Sequence, residues 1–302
     1  MPLVQIKGLP AVSELKAEWE QEGRTDLIVP EEELGSRKVT EIAILNLMPV
    51  KERTERQLLR RLAMSKELVR VTFLMTESYH PRHTDPEHLQ KFYTVFSAVK
   101  DIPFDGMIIT GAPIEMMPFE KVDYWKELTD IMDSCRERKI STLYICWGAQ
   151  AGLYHFYGIP KKSLPAKQFG IFEHHLEVPS PLTTGMQDPF YTPHSRHTFT
   201  DKQDVIGING LKIAAESPRA GVYLIVDEEH REVFITGHSE YEADTLSFEY
   251  FRDLGKGLPI NVPEHYFPDD DPSKKPVSVW KKHSEQLFEN WITYYVKKDD
   301  RS

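Results

Sequence analysis

The chain has 302 residues, of which 40% are hydrophobic and 28% charged, the balance of an ordinary soluble protein rather than a disordered, collagen-like or membrane-spanning one. Forty-seven Asp and Glu against 37 Lys and Arg leave a net charge of −10, which opposes a nucleic-acid partner. No apolar run reaches the roughly 18 residues of a membrane helix, the first residues lack a signal peptide's long apolar core, and two cysteines cannot form a disulfide framework, so a reduced, cytoplasmic protein is expected.

Residues 1–37 are polar, with a short helical pattern near Val12–Glu22. They read as an N-terminal arm packed on the body or on a partner subunit, and 38–302 as a single α/β domain. From Val39 strand and helix patterns alternate. Ile42–Leu47, Val69–Met75, Met107–Thr110 and Leu143–Cys146 are short, rich in Ile, Val and Leu, and barely alternate, as strands covered on both faces do. Helical patterns over 51–65, 86–99 and 123–138 lie between them. This order predicts a doubly wound, mostly parallel sheet with helices on both faces, and ligand chemistry at the carboxyl ends of its strands. Beyond Gly158 the pattern turns strand-like. Val222–Val226 and Val233–Thr236 flank a polar turn and read as a hairpin. Residues 242–254 return to helix, and five prolines send 259–276 over the surface. A C-terminal helix over 279–297 carries Trp280, Leu287, Phe288, Trp291, Tyr294 and Tyr295 as a buried stripe.

The most informative segment is STLYICWGAQAGLYHFYG, 141–158. A strand ends at Cys146, small residues follow, and a helical run begins. A strand turning sharply into a helix lifts the turn residue above the sheet, and small neighbours are needed where the backbones crowd. The helix N-terminus directs N–H groups at the sulfur, favouring a thiolate and an oxyanion formed beside it. Cys135 lies on the apolar face of a helix and reads as core. For a base, His238 follows the strand Val233–Thr236 and a glycine, which places it at the same sheet edge. Glu240, two residues on, can hold its second nitrogen. His174 and His175, adjacent on a strand, would point to opposite faces and cannot clamp one metal. His194 and His197 lack a third ligand, so no metal is expected.

These residues carry a resemblance. Cys146 in ICWGAQA with His238-Ser-Glu240 resembles the Cys-His-Glu set of class I glutamine-amidotransferase-like folds. ILNLMPVKERTE, GMIITGAPIE, FGIFEHH, TPHSRHT, GHSEYEADTLSFEYFRD and LFENWITYYV resemble the homoserine O-acyltransferase family. The family implies acyl transfer from an acyl-coenzyme A to Cys146 and then to the hydroxyl of L-homoserine, a ping-pong route to methionine precursors with no permanently bound cofactor. It implies substrate contacts at Lys167, Ser195 and Arg252. The Trp147 N–H and the turn Gly111-Ala112-Pro113 are candidate oxyanion donors, with Ala112 the second one, and Lys51 is a further pocket candidate. Glu115 in GAPIE bears on the donor, together with Ser195: a glutamate near the acyl end would exclude the succinyl carboxylate, so acetyl-coenzyme A is expected, with succinyl-coenzyme A as the alternative. Tyr144 stands where an amidotransferase elbow has its first glycine, which favours the acyltransferase over a glutaminase. A glutamine amidotransferase and a non-enzymatic ligand-binding module are the competing readings. A homodimer is expected from the arm and the aromatic terminal helix.

Overall fold

Alternate residues of each central strand enter different cores, and this is why the strands read as continuous apolar runs. Ile42, Ile44, Val71, Phe73, Ile108, Leu143 and Ile145 join one buried cluster, while Ala43, Leu45, Leu74, Met107, Ile109 and Tyr144 join the other. A sheet covered on both faces requires this pattern. The computed structural model describes residues 2–79 and 84–297.

In chain order the elements are β1 (Leu3–Val4), α1 (Pro10–Gln21), β2 (Ile28–Val29), β3 (Thr40–Leu45), α2 (Lys51–Leu62), β4 (Val69–Met75), α3 (Pro86–Phe92), β5 (Tyr93–Val95), α4 (Phe96–Val99), β6 (Gly106–Ile109), α5 (Trp125–Glu137), β7 (Ser141–Ile145), α6 (Trp147–Tyr157), β8 (Lys161–Leu176), β9 (Phe190–Thr200), α7 (Lys202–Val205), β10 (Leu211–Ser217), β11 (Gly221–Asp227), β12 (Glu232–Ile235), α8 (Thr245–Gly255) and α9 (Lys281–Trp291). One sheet runs β2-β1-β4-β3-β6-β7-β12-β11-β10-β8-β9, with β5 beside β4. It is parallel from β2 to β12 and antiparallel from β12 to β9. Side chains of α1, α2 and α9 cover one face, and those of α5 and α6 the other. The carboxyl ends of β3, β4, β6 and β7 share an edge, and β12, parallel to β7, ends there too.

Residues 2–37 lie along the sheet's edge on the chain's own body. Leu3 pairs with Val69 of β4, Leu15 and Trp19 of α1 are buried, and Glu18 meets Arg56 and Arg60 of α2.

Two expectations need correction. The helix expected over 86–99 is broken by β5, which pairs parallel with Phe73–Met75. Thr94 and Val95 suit a strand, and the Tyr93 hydroxyl is drawn inward to donate to buried Glu55 (2.7 Å). In the C-terminal helix Tyr294 is exposed, not part of the stripe. The helix widens over Ile292–Val296, where Lys297 N donates to Ile292 O (2.9 Å). That slip keeps Tyr295 inward, as expected, and brings Ile292 and Val296 inward with it.

Candidate active site

β7 is buried throughout and leads into Cys146, whose φ of 53° and ψ of −114° fall in a region L-residues rarely adopt. Its amide donates to Ile235 O of β12 at 2.7 Å, and α6 starts at the next residue. The thiol therefore stands at the first turn of a helix, where backbone N–H groups and the helix dipole favour negative charge. The small neighbours are required. A Cβ on Gly148 would lie 2.7 Å from Thr110 O, and one on Gly111 would lie 3.3 Å from the Cys146 Cβ. Tyr144 stacks on Phe234 (centroids 4.8 Å apart) in the core beneath the turn.

His238 comes to Cys146 from β12. Its amide donates to Pro193 O (2.9 Å), and Gly237 lets β9 approach, since a Cβ there would lie 3.0 Å from the His194 ring. Nδ1 meets Glu240 Oε1 at 2.7 Å, with both side chains buried. That leaves the other ring nitrogen for the Cys146 sulfur, which lines the same cavity as His238. Tyr241 stacks on the imidazole at 4.0 Å. Burial alone would lower the imidazole, but the Cys146 sulfur and the Glu240 carboxylate reverse this and raise it well above its ordinary value. Cys146 thus shares one cavity with a hydrogen-bonded His238–Glu240 pair, an arrangement able to move a proton to and from a group at the sulfur.

Cys146 and His238 line a cavity of about 270 Å3. The same cavity receives Ala112, Glu115, Lys167, Ser195 and Arg252. Its far wall is a polar cluster from the hairpin β8–β9 and helix α8. Ser195 Oγ donates to Glu249 Oε2 (2.5 Å), and the Tyr241 hydroxyl donates to Glu249 Oε1 (2.7 Å). Lys167 Nζ lies 3.6 Å from Glu249 and 3.9 Å from Asp253. Arg252 grips Asp253 with Nε and Nη2, at 2.6 and 2.9 Å. Cations and anions so interleaved match a zwitterion, offering a carboxylate site at Lys167 and Arg252 and an ammonium site at Glu249.

Glu115 has fixed partners. One carboxylate oxygen, Oε2, accepts from His197 N (2.8 Å) and Thr198 N (3.1 Å), and lies 3.1 Å from the Thr198 hydroxyl. That hydroxyl also lies 2.9 Å from Gln150 of α6. Trp147 contributes its backbone at the elbow, while its indole is buried in the core. Lys51 lies outside this cavity, in a neighbouring one, where burial lowers its ammonium to about 8.

Sequence reasoning missed Glu249, Asp253, Tyr241 and Arg196. Glu249 and Asp253 sit four apart on α8 with Arg252 between them, a helical spacing that could have been read as one face. Arg196 gave no signal. It is fully buried, bonded to Gln168 Oε1 (3.0 Å) and Ala220 O (2.5 Å). Burial lowers it to about 10, against the opposing pull of Cys146 and Glu115. His174 is buried and His175 partly exposed, on opposite faces. His174 and His194 meet at 3.0 Å behind the site, and His197 lines the cavity. Among the described residues no group of three or more His, Cys, Asp or Glu side chains could hold a metal ion, and no helix is long and apolar enough to cross a membrane.

A strand-end cysteine on a helix N-terminus, facing a His-Glu pair from a parallel neighbour, defines an α/β protein with the class I glutamine-amidotransferase-like fold. A glutamine amidotransferase from Thermotoga maritima superposes with a TM-score of 0.57 at 12% identity, over 86% of this chain and 99% of that one. One from Methylobacillus flagellatus gives 0.55 at 11% identity, over 88% and 99%. The homoserine O-succinyltransferase family model matches residues 24–302, and the chain belongs to that family. Its relatives include a homoserine O-acetyltransferase of Geobacillus sp. (strain WCH70), 50% identical over 98% of this chain and 97% of the relative. Another, from Thermotoga petrophila, is 48% identical over 98% and 96%.

Proposed function

We infer that the protein transfers an acetyl group from acetyl-coenzyme A to the side-chain hydroxyl of L-homoserine, giving O-acetyl-L-homoserine for methionine biosynthesis. The observation that carries the chemistry is Cys146 in one cavity with the hydrogen-bonded His238–Glu240 pair, beside a zwitterion-matched wall. Cys146 attacks the thioester carbonyl as a thiolate, and coenzyme A leaves with a proton from His238. The homoserine hydroxyl then attacks the acetyl-Cys146 thioester while His238 takes its proton and Glu240 steadies the imidazolium. The Trp147 and Ala112 N–H groups hold the oxyanion in both steps.

The same geometry tunes the base. Negative charge on the Cys146 sulfur raises the His238 imidazole. Acylation removes that charge, so the imidazole falls and becomes a base when homoserine needs one. Lys167 and Arg252 receive the homoserine carboxylate, Glu249 its ammonium group, and Ser195 is held by Glu249 on the same wall.

Glu115 selects the donor by occupying a carboxylate site with its own carboxylate. The His197 and Thr198 amides that it accepts from are donors a succinyl carboxylate would need, and its charge repels that group. The test is acyl transfer measured with both donors. A wild type that prefers succinyl-coenzyme A overturns the donor assignment, and release of ammonia from glutamine without any acyl-coenzyme A would favour an amidotransferase. We place the enzyme in the reduced cytoplasm, with Cys146 kept free for chemistry. A homodimer is the proposed assembly, with the exposed Phe248, Phe251 and Leu254 of α8 at its contact; a monomeric mass in solution would refute it.

A further inference from the structure

A second cavity lies against the first. It measures about 330 Å3, within the roughly 300–1,000 Å3 range of small-molecule sites. Met48, Pro49, Ala112 and Pro113 line both, so the loops after β3 and β6 form a shared wall, one side toward each cavity. The two lobes differ in chemistry. The Cys146 lobe carries the ionic cluster of Lys167, Glu249, Arg252 and Asp253. The second is walled by Leu47, Ile114, Val122 and the rings of Tyr79 and Tyr124; of the two charged groups that also line it, Lys51 donates to the Asn46 and Met48 carbonyls and Asp123 is exposed. Largely apolar walls interrupted by single polar groups suit a chain of methylenes broken by amides.

We propose that the second lobe holds the pantetheine arm of the acyl-coenzyme A donor, which reaches Cys146 across the Ala112–Pro113 turn while the amino-acid acceptor enters from the Lys167 side. This rests on the acyltransferase reading above. The two substrates then approach one sulfur from opposite sides. In the first step the Cys146 sulfur bonds to the thioester carbonyl carbon, the carbon–sulfur bond to coenzyme A breaks, and the coenzyme A sulfur takes the proton from His238. In the second the homoserine oxygen bonds to that carbon, its proton passes to His238, and the carbon–sulfur bond to Cys146 breaks. The arm's departure after the first step leaves the acetyl thioester open to the acceptor lobe.

The two lobes therefore serve separate half-reactions, and ping-pong kinetics can read them apart. Ile114→Trp would fill the second lobe from a half-buried position, and Tyr79→Ala would remove part of its outer wall, since Tyr79 is exposed. Neither residue belongs to the catalytic set. The expected result is that kcat/KM for acetyl-coenzyme A falls about tenfold or more in Ile114→Trp and by a smaller factor in Tyr79→Ala, while kcat/KM for homoserine stays within about twofold. Unchanged donor values in both variants, or a loss confined to homoserine, would overturn the proposal. For a variant that fails to fold, hydrogen exchange of the wild type with desulfo-coenzyme A decides. Protection over 76–79 and 112–124 is expected, and protection confined to 167, 195 and 249–253 contradicts it. A wild type that forms no acetyl-enzyme with acetyl-coenzyme A fails the acyltransferase reading itself, a result visible before any variant is made.

Discussion

The two sides of the Cys146 cavity are built by different means. On the triad side, backbone geometry sets nearly everything. Cys146 sits at a positive φ between β7 and α6, its amide tied to Ile235, and His238 is pinned through its amide to Pro193. On the acceptor side, position comes from side chains: Lys167 and Ser195 from the hairpin, and Glu249, Arg252 and Asp253 from α8, brace one another through ion pairs and hydrogen bonds. A nucleophile at the end of a parallel strand is a property of the sheet. An acceptor site assembled from a hairpin and a helix can change with little disturbance to that sheet. This fits a fold in which amidotransferases at 11–12% identity still superpose over most of this chain.

Substitutions should separate the two sides. The largest effect is expected for His238→Ala, about 10²–10⁴-fold on kcat/KM for both substrates, because one base serves both half-reactions. Glu240→Ala should lose less, since it acts through His238. Equal, small losses in the two variants would break the triad side of the comparison. Next comes Glu249→Gln. A hydrogen bond to a charged group is worth about 1.5–3 kcal/mol, so kcat/KM for homoserine should fall roughly 10- to 100-fold while the value for acetyl-coenzyme A holds. A fall in both would mean that the acceptor cluster also shapes the triad.

Smaller effects sharpen the boundary. Glu115→Gly should raise kcat/KM for succinyl-coenzyme A and lower that for acetyl-coenzyme A, because it frees the His197 and Thr198 amides but also unties β9 from the acyl pocket. If neither value moves, the donor is chosen elsewhere. The smallest effect concerns stability. Burial lowers His174 and His283 to about 3 and His194 well below its ordinary value. A histidine lowered in the folded state contributes fully above about pH 6.5 and loses that contribution as pH falls toward its folded value. Thermal unfolding should therefore come at lower temperature as pH drops from about 6.5 toward about 3, and less steeply in His283→Asn. An identical slope in wild type and variant would remove His283 from that account.

The triad side was legible in the sequence because strand ends, glycines and small residues announce themselves locally. Leu143–Cys146 followed by Gly148 is enough to predict an elbow, and a histidine one residue past the glycine that follows a strand is expected at the same sheet edge, where His238 lies. Of the opposite wall, the sequence placed only Lys167, Ser195 and Arg252 in the cavity, and only through resemblance. Glu249 and Asp253 read as ordinary helix-surface charge until α8 is folded against the hairpin, and a buried Arg196 contradicts the default for its type. The break between α3 and β5 was hidden for a similar reason. Tyr93 obeys a partner, Glu55, that lies 38 residues away in the chain.

The central claim is that Cys146 carries the acyl group between two substrates. Intact-mass spectrometry of the protein given acetyl-coenzyme A alone tests it most directly. One acetyl adduct is expected, mapped to the peptide containing Cys146, absent in Cys146→Ala, and discharged when homoserine is added. An adduct that persists in Cys146→Ala, or acetyl transfer to homoserine with no acetyl-enzyme formed, would contradict the account.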